Sequence, residues 1–259
     1  MMMARTPRRL AIDGDAVVKE ALRRIDRPSR RLFLQRTLTL GGLSLLTGCA
    51  IVDEDSVEQA LTKVSRFNDK VQGWLFDPNR LAPTYPESMI TRPFPFNAYY
   101  GEDEIRQVDA VSYRLEVAGL AADKRSWTLA ALRALPQTDQ VTRHICVEGW
   151  SAIGKWGGVK FSDFLARVGA DTSAKYVGFK CADDYYTSID MPTALHPQTL
   201  LTLTYDGQEL PPRYGFPMKL RMPTKLGYKN PKHIQAIFVT NTYPGGYWED
   251  QGYNWFGGS

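Results

Sequence analysis

The sequence predicts an α+β fold in which mixed sheets carry short helices, on three observations. Six short runs rich in β-branched and aromatic residues read as strands, at 111–117, 140–147, 176–181, 200–205, 218–222 and 234–240. Only two helical stretches fall between them, at 129–135 and 162–168. Asp206-Gly207 is a residue pair that a two-residue hairpin loop favours. At 259 residues the chain is long enough to bury a sizeable core. Hydrophobic content of 43% and charge of 23%, with 21 Gly and 16 Pro, exclude a disordered acidic chain, a collagen, a coiled coil and a polytopic membrane protein.

The N-terminal segment comes first. Residues 1–48 hold ten Lys+Arg against four Asp+Glu, which leaves 22 basic and 24 acidic residues beyond them. The net charge of +4 therefore belongs to this segment, and the argument for a nucleic-acid partner disappears with it. Ser29-Arg30-Arg31-Leu32-Phe33-Leu34-Gln35 precedes an apolar run of about ten residues that contains Gly41 and Gly42. That run is shorter than the roughly 20 residues needed to cross a bilayer. Residues 1–48 thus read as a twin-arginine signal peptide, which sends a folded chain to the periplasm. The ending Leu46-Thr47-Gly48-Cys49 resembles a lipobox, so Cys49 is a candidate lipid anchor to a membrane face.

Residues 49–94 read as an N-terminal helix and a wrapping segment. Val57, Leu61, Val64, Phe67 or Val71, and Trp74 fall near helical spacing, which predicts an amphipathic helix over about 54–72 after a short acidic tether. Five prolines in 77–96 predict an extended loop. The remaining residues, 95–259, form the third segment, with no repeat and no internal linker. The aromatic ending from Tyr247 to Phe256 is expected to fold back over it.

Most familiar catalytic patterns are absent: no dinucleotide glycine fingerprint, no GxxxxGK[ST] loop, no HExxH, no CxxC and no CxxCH. His144, His196 and His233 are too few and too scattered for a histidine-rich metal site. Beyond Cys49 two cysteines remain, Cys146 and Cys181, and in an oxidising compartment they could form a disulfide. Alternatively, one is a thiolate ligand to a redox metal. Export of an already folded chain favours an enzyme that acquires its cofactor before export. Cys146 leaves a predicted strand and enters a loop rich in glycine and tryptophan, running through Trp150 and Trp156 to Phe161. Such a loop can present a thiolate at a sheet rim and let a bulky cofactor approach the backbone. Glu148 is placed to accept a hydrogen bond beside it or to form an ion pair.

The run His144-Ile145-Cys146-Val147-Glu148-Gly149-Trp150-Ser151 resembles the metal-ligand cysteine loop of the sulfite oxidase superfamily. Within it the resemblance is strongest to catalytic subunits of periplasmic protein-methionine-sulfoxide reductases. Further motifs follow in the family's order: Phe96 to Gly101, Ala194 to Leu201, Asp206 to Pro212, Tyr214 to Leu220, Gly227 to Ile234 and Gly246 to Tyr253. Together they span roughly 95–255.

The resemblance implies a sulfite oxidase-type molybdopterin-binding domain over 95–259, with one molybdopterin whose dithiolene gives two sulfurs to molybdenum. Cys146 matches the cysteine that gives a third. Asn97, Tyr100 and Gly101 match an early pterin-contacting loop, and Asn230, Pro231 and Lys232 match late phosphate and pterin contacts. Three positions depart from the reductase pattern. Tyr214 replaces a cofactor-contacting asparagine, Cys181 replaces a threonine, and Lys219 replaces an arginine, keeping the charge and losing the planar fork.

The implied activity is oxygen-atom transfer, with reduction of an S-oxide or N-oxide ahead of sulfite oxidation. Electrons would come from a separate haem-bearing membrane partner in the first case and pass to a cytochrome in the second. A third reading is a non-catalytic lipoprotein module with a Cys146–Cys181 disulfide. The chain is expected to be a monomer, without the cytochrome b5 module or dimerisation domain of some relatives.

Overall fold

Alternation and turn chemistry account for most of the strands. The computed structural model describes residues 54–259, with side chains from Leu61 onward. The signal segment, Cys49 and the tether lie outside the described residues. Helix α1, Glu54–Leu75, ends just past the expected position. The proline-rich segment after it stays extended apart from a 3-10 turn at Glu87–Met89. It is sewn to the body by backbone bonds, Tyr85 N–H to the Val141 carbonyl at 3.0 Å and Thr91 N–H to Ile153 at 2.9 Å. Leu61–Ser259 forms one compact unit.

The first sheet has the order β2-β1-β10-β5-β6. Its strands are β1 (Arg114–Gly119), β2 (Trp127–Thr128), β5 (Tyr176–Cys181), β6 (Tyr186–Asp190) and β10 (Ile234–Thr240). β1 and β10 run parallel, and the other pairs are antiparallel, which makes the sheet mixed. The second sheet is antiparallel, in the order β3-β4-β7-β8 with β9 also on β7. It contains β3 (Thr138–Ile145), β4 (Ser151–Lys160), β7 (Leu200–Tyr205), β8 (Gln208–Glu209) and β9 (Lys219–Arg221). Asp206 and Gly207, both at positive φ, close the β7–β8 hairpin.

Both sheets feed one apolar core. Leu115, Val117, Phe179 and Ile237 come from the first sheet and Val159, Leu201, Leu203 and Leu220 from the second. Phe161, Phe164 and Leu165 of α3 (Phe161–Arg167) join them. Two other short helices have side-chain caps. Thr128 Oγ1 accepts from Ala131 N–H at the start of α2 (Leu129–Arg133), and Asp190 accepts from Thr193 N–H at the start of α4 (Met191–Leu195). The pattern did not anticipate α4, because five residues show too little periodicity.

The main correction concerns the glycine- and tryptophan-rich run after Cys146. Only residues up to Trp150 turn; Ser151–Lys160 is the longest strand of the fold. Its glycines answer to crowding: a Cβ at Gly158 would stand 2.0 Å from the Leu201 carbonyl oxygen, and one at Gly157 2.2 Å from Asp139 Oδ1. Trp156 leaves this strand into a second, aromatic cluster with Phe94, Tyr205 and Tyr214.

Candidate active site

β3 ends at Ile145, and the next residue turns its thiol into a cavity wall. The turn is held by Cys146 N–H donating to the Trp150 carbonyl at 2.9 Å and Gly149 N–H donating to the Cys146 carbonyl at 3.2 Å. Gly149, at φ +91°, adopts the left-handed conformation this return requires. Asn97 Nδ2 donates to Cys146 Sγ at 3.3 Å, and the thiol faces Glu148 Oε2 at 3.5 Å. Trp150 Nε1 anchors that carboxylate at 2.8 Å. Burial pushes the Cys146 thiol above its ordinary pKa; the neighbouring carboxylate adds to this, and backbone amides of Glu148 and Val147 oppose it. Without a cation at the sulfur the group is a thiol, and coordination to a metal would deprotonate it.

Five chain segments converge on the cavity. They bring Asn97 and Tyr100, Cys146 and Glu148, Asp183 and Tyr185, Gly227 to Lys232, and the C-terminal Trp248 and Tyr253. Of the residues singled out from the sequence, Asn97, Tyr100, Cys146, Asn230, Pro231 and Lys232 all line it.

Four others do not reach that wall. Gly101 is exposed and begins the 3-10 turn Glu102–Glu104. Cys181 ends β5, buried and paired in register with Ile234. Cys146 and Cys181 are both free thiols, so the disulfide considered above is not formed. Tyr214 packs in the aromatic cluster, and its hydroxyl is committed to the Phe94 carbonyl at 2.8 Å. Lys219 lies in the second sheet, with Nζ 4.9 Å from the Trp156 ring centroid.

Lys219 nonetheless belongs to the electrostatics of the site. It is 2% exposed, and beyond its place in the β7–β9 ladder its amine makes no side-chain hydrogen bond among the described residues. Burial holds its pKa well below the ordinary lysine value, and Lys232 and Arg221 repel its charge. Lys232 is pushed to about 8 by burial, against a partial pull from Asp183. His144, between these cations, has both ring nitrogens buried with no partner among the described residues. Lys219, Lys232 and Arg221 are buried around an orphaned imidazole, and the carboxylates that act on this group, Asp183 and Glu102, reach Lys232 alone, so an anionic group such as a phosphate would find donors here. Gly227 packs directly against this imidazole, since a Cβ there would stand 2.8 Å from His144 Nε2. Among the described residues no three His, Cys, Asp or Glu side chains converge on a metal position. A metal at Cys146 would thus need most of its ligands from a cofactor, and these residues fit an anionic, metal-bearing one.

Asp183 and Tyr185 carry no motif of their own, and Tyr228 and Tyr253, though inside the motifs at 227–234 and 246–253, were given no role from the sequence. Asp183 is central to a polar contact network. Tyr100 Oη lies 3.1 Å from Asp183 Oδ2 and 3.3 Å from His233 Nε2, while His233 Nδ1 sits 2.6 Å from the Phe216 carbonyl. That carbonyl can only accept, so Nδ1 carries a proton and donates to it, while Tyr100 gives its single hydroxyl proton to Asp183.

The buried amines set a pH dependence for the cofactor-free protein. Lys225 is held at about 7 and Lys232 at about 8 when folded, against 10.5 for an unburied lysine. Between those values the unfolded chain binds more protons, so stability rises as pH increases. Tyr99 and Tyr205, pushed up to about 12, bind more protons folded than unfolded above about 10 and reverse the trend. The melting temperature of cofactor-free protein is therefore expected to climb from pH ~7 to ~10. A fall over this range would contradict the buried amines.

Comparisons with known proteins agree with this geometry. Residues 102–248 match the family model described as the oxidoreductase molybdopterin binding domain. The chain is 74% identical over 262 residues to YedZ1 of Azospira oryzae, provisionally named a protein-methionine-sulfoxide reductase subunit, with 100% of both chains covered. It is 31% identical over 161 residues to MsrP, the protein-methionine-sulfoxide reductase catalytic subunit of Burkholderia mallei, covering 56% of this chain and 49% of that one. The sulfane dehydrogenase SoxCD of Paracoccus pantotrophus shares the fold at a TM-score of 0.50 and 19% identity, over 53% of this chain and 40% of that chain. The chain thus belongs to the oxidoreductase molybdopterin binding domain family and is a molybdopterin oxidoreductase of the sulfite oxidase type.

Proposed function

We propose that this enzyme reduces an S-oxide or N-oxide in the periplasm, reached folded through the twin-arginine signal in residues 1–48, with a possible lipid anchor at Cys49 and electrons from a separate haem-containing membrane protein. One observation carries the site assignment: Cys146 and Lys232 line one cavity, and the buried Lys219 and the partnerless imidazole of His144 stand close to it. A single molybdopterin bound there would supply a molybdenum centre able to exchange an oxygen atom and two electrons.

The chain's own residues do the rest. Cys146 would give the protein sulfur to the metal, and Asn97 holds that sulfur in place through its amide. Lys232 would hold the cofactor's anionic end, with Asn230 and Pro231 forming the adjacent wall and the charges of Lys219 and Arg221 acting from behind it. Asn230 is itself fixed, since its Oδ1 accepts from Met222 N–H at 2.7 Å and its Nδ2 donates to the Leu226 carbonyl at 2.9 Å. Glu148, held by Trp150, stands beside the sulfur where it can hold a proton for a departing oxygen. The named activity of the relatives supports the reductive direction.

The test is elemental and kinetic. Protein taken from its native export route should contain about one molybdenum and one pterin per chain. It should oxidise reduced viologen with a sulfoxide or an N-oxide as acceptor, faster than it oxidises sulfite with ferricyanide. Metal-free protein would end the enzyme reading, and a preference for sulfite would reverse the direction.

A further inference from the structure

Helix α1 is amphipathic, as its sequence predicts, but it is docked the wrong way round for a helix that serves the core. An apolar stripe at helical spacing ordinarily faces the protein interior. Here the body is met by the other face. Arg66 stands over the Tyr243 ring, 5.7 Å from its centroid. Asp69 Oδ1 accepts from Asn254 Nδ2 at 2.7 Å and from Phe256 N–H at 3.0 Å. Gly73 lies against Phe256, and beyond the helix Phe76 packs edge-on to the same ring.

At 100° per residue, Leu61, Val64, Phe67, Trp74 and Leu75 fall on the side away from these contacts. They are exposed accordingly, Phe67 by 64% and Trp74 by 83%. Lys63 and Lys70, both exposed, border the stripe on one flank.

Two features of the chain select an occupant. The helix begins five residues after Cys49, so Glu54 lies within about 17 Å of whatever that cysteine is attached to. Leucine, phenylalanine and tryptophan on one face with lysines at its margin are the composition of helices that lie in a bilayer interface and favour anionic lipid. We infer that the outward face of α1 is a membrane-docking surface that seats the enzyme on an anionic phospholipid bilayer. Lipid on Cys49 would tether the chain, and α1 would fix its orientation. The inference rests on the proposed export to a membrane face.

The experiment adds exported holoenzyme to vesicles of phosphatidylethanolamine and phosphatidylglycerol whose acyl chains carry bromine. It reads tryptophan fluorescence and amide exchange over 61–75. Bromine is expected to quench a fraction of the emission that Trp74→Phe removes, and exchange is expected to slow about tenfold. Leu61→Glu with Phe67→Glu should abolish both while leaving viologen turnover unchanged, because neither side chain touches the site. Absence of quenching, or the same quenching in Trp74→Phe, overturns the inference. So does a dimer that covers this face and withholds it from vesicles. Should the double-glutamate protein fail to fold, Lys63→Glu with Lys70→Glu replaces it. That variant is expected to lose binding to phosphatidylglycerol vesicles and not to neutral phosphatidylcholine ones, and equal loss on both overturns the inference. Mass spectrometry of the N-terminus separates the two readings: quenching with an unmodified Cys49 retains the helix surface and rejects only the anchor.

Discussion

Cys146→Ser is expected to lower turnover more than about 100-fold while leaving the protein folded. The lower bound follows from metal sites in general, where removing an outer-shell partner costs 10–100-fold and removing a ligand costs more. Folding should tolerate the change, because serine is nearly isosteric and the Asn97 amide that donates to the sulfur can donate to a hydroxyl instead. A loss of roughly 1 kcal/mol is the expected structural cost. The measurement pairs viologen turnover with molybdenum and pterin content and a melting curve. Pterin should be retained, since the cations at Lys219 and Lys232 are untouched. Full activity in the serine variant would remove Cys146 from the metal, and an unfolded protein would make the residue structural.

Lys229→Ala is expected to be the most destabilising single change near the site. Lys229 and Glu249 form an ion pair with both side chains 1% exposed, and Thr187 and the Ser188 carbonyl complete the amine's contacts. Burial lowers the Lys229 pKa even with Glu249 pulling the other way, which shows how much desolvation the pair carries. Removing one partner strands the other charge, at a cost of about 3–5 kcal/mol. For a body of this size that lowers the melting temperature by about 6–20 °C. The pair also joins two walls of the cavity, the 227–232 segment and the 248–253 segment, so molybdenum content should fall with stability. Lys229→Met with Glu249→Leu should recover much of the lost stability, because a packed apolar pair replaces an ion pair with no stranded charge. A shift below about 2 °C in Lys229→Ala would mean that water reaches the pair.

The sequence was legible where chemistry is local. The strands at 176–181, 200–205 and 234–240 appear with the expected bounds, because alternation with β-branched and aromatic residues is decided within each segment. The Asp206-Gly207 turn follows from the left-handed conformation both residues accept. β4 was misread because its three glycines usually signal a loop, whereas Gly157 and Gly158 are explained by the neighbouring strands and Gly154 by the Trp156 and Phe94 rings. In the site, Cys146, Asn97 and the 230–232 run were legible through motifs, and the cavity brings them together. Asp183 and Tyr185 were not, since their place in the site comes from a turn that folds beside Cys146 from a distant part of the chain.

By itself the sequence determined the charge partition that marks residues 1–48, the strand-rich α+β character and the cysteine loop that carries the family resemblance. These are properties of neighbouring residues, and no folding is needed to express them. Only the tertiary structure decided that Tyr214 spends its hydroxyl on Phe94, that Cys181 stays apart from Cys146, and that α1 turns its apolar face outward. The physical reason is the same in each case. Periodicity states that a side chain has an apolar or polar preference, whereas its partner is fixed by which distant surface folds against it.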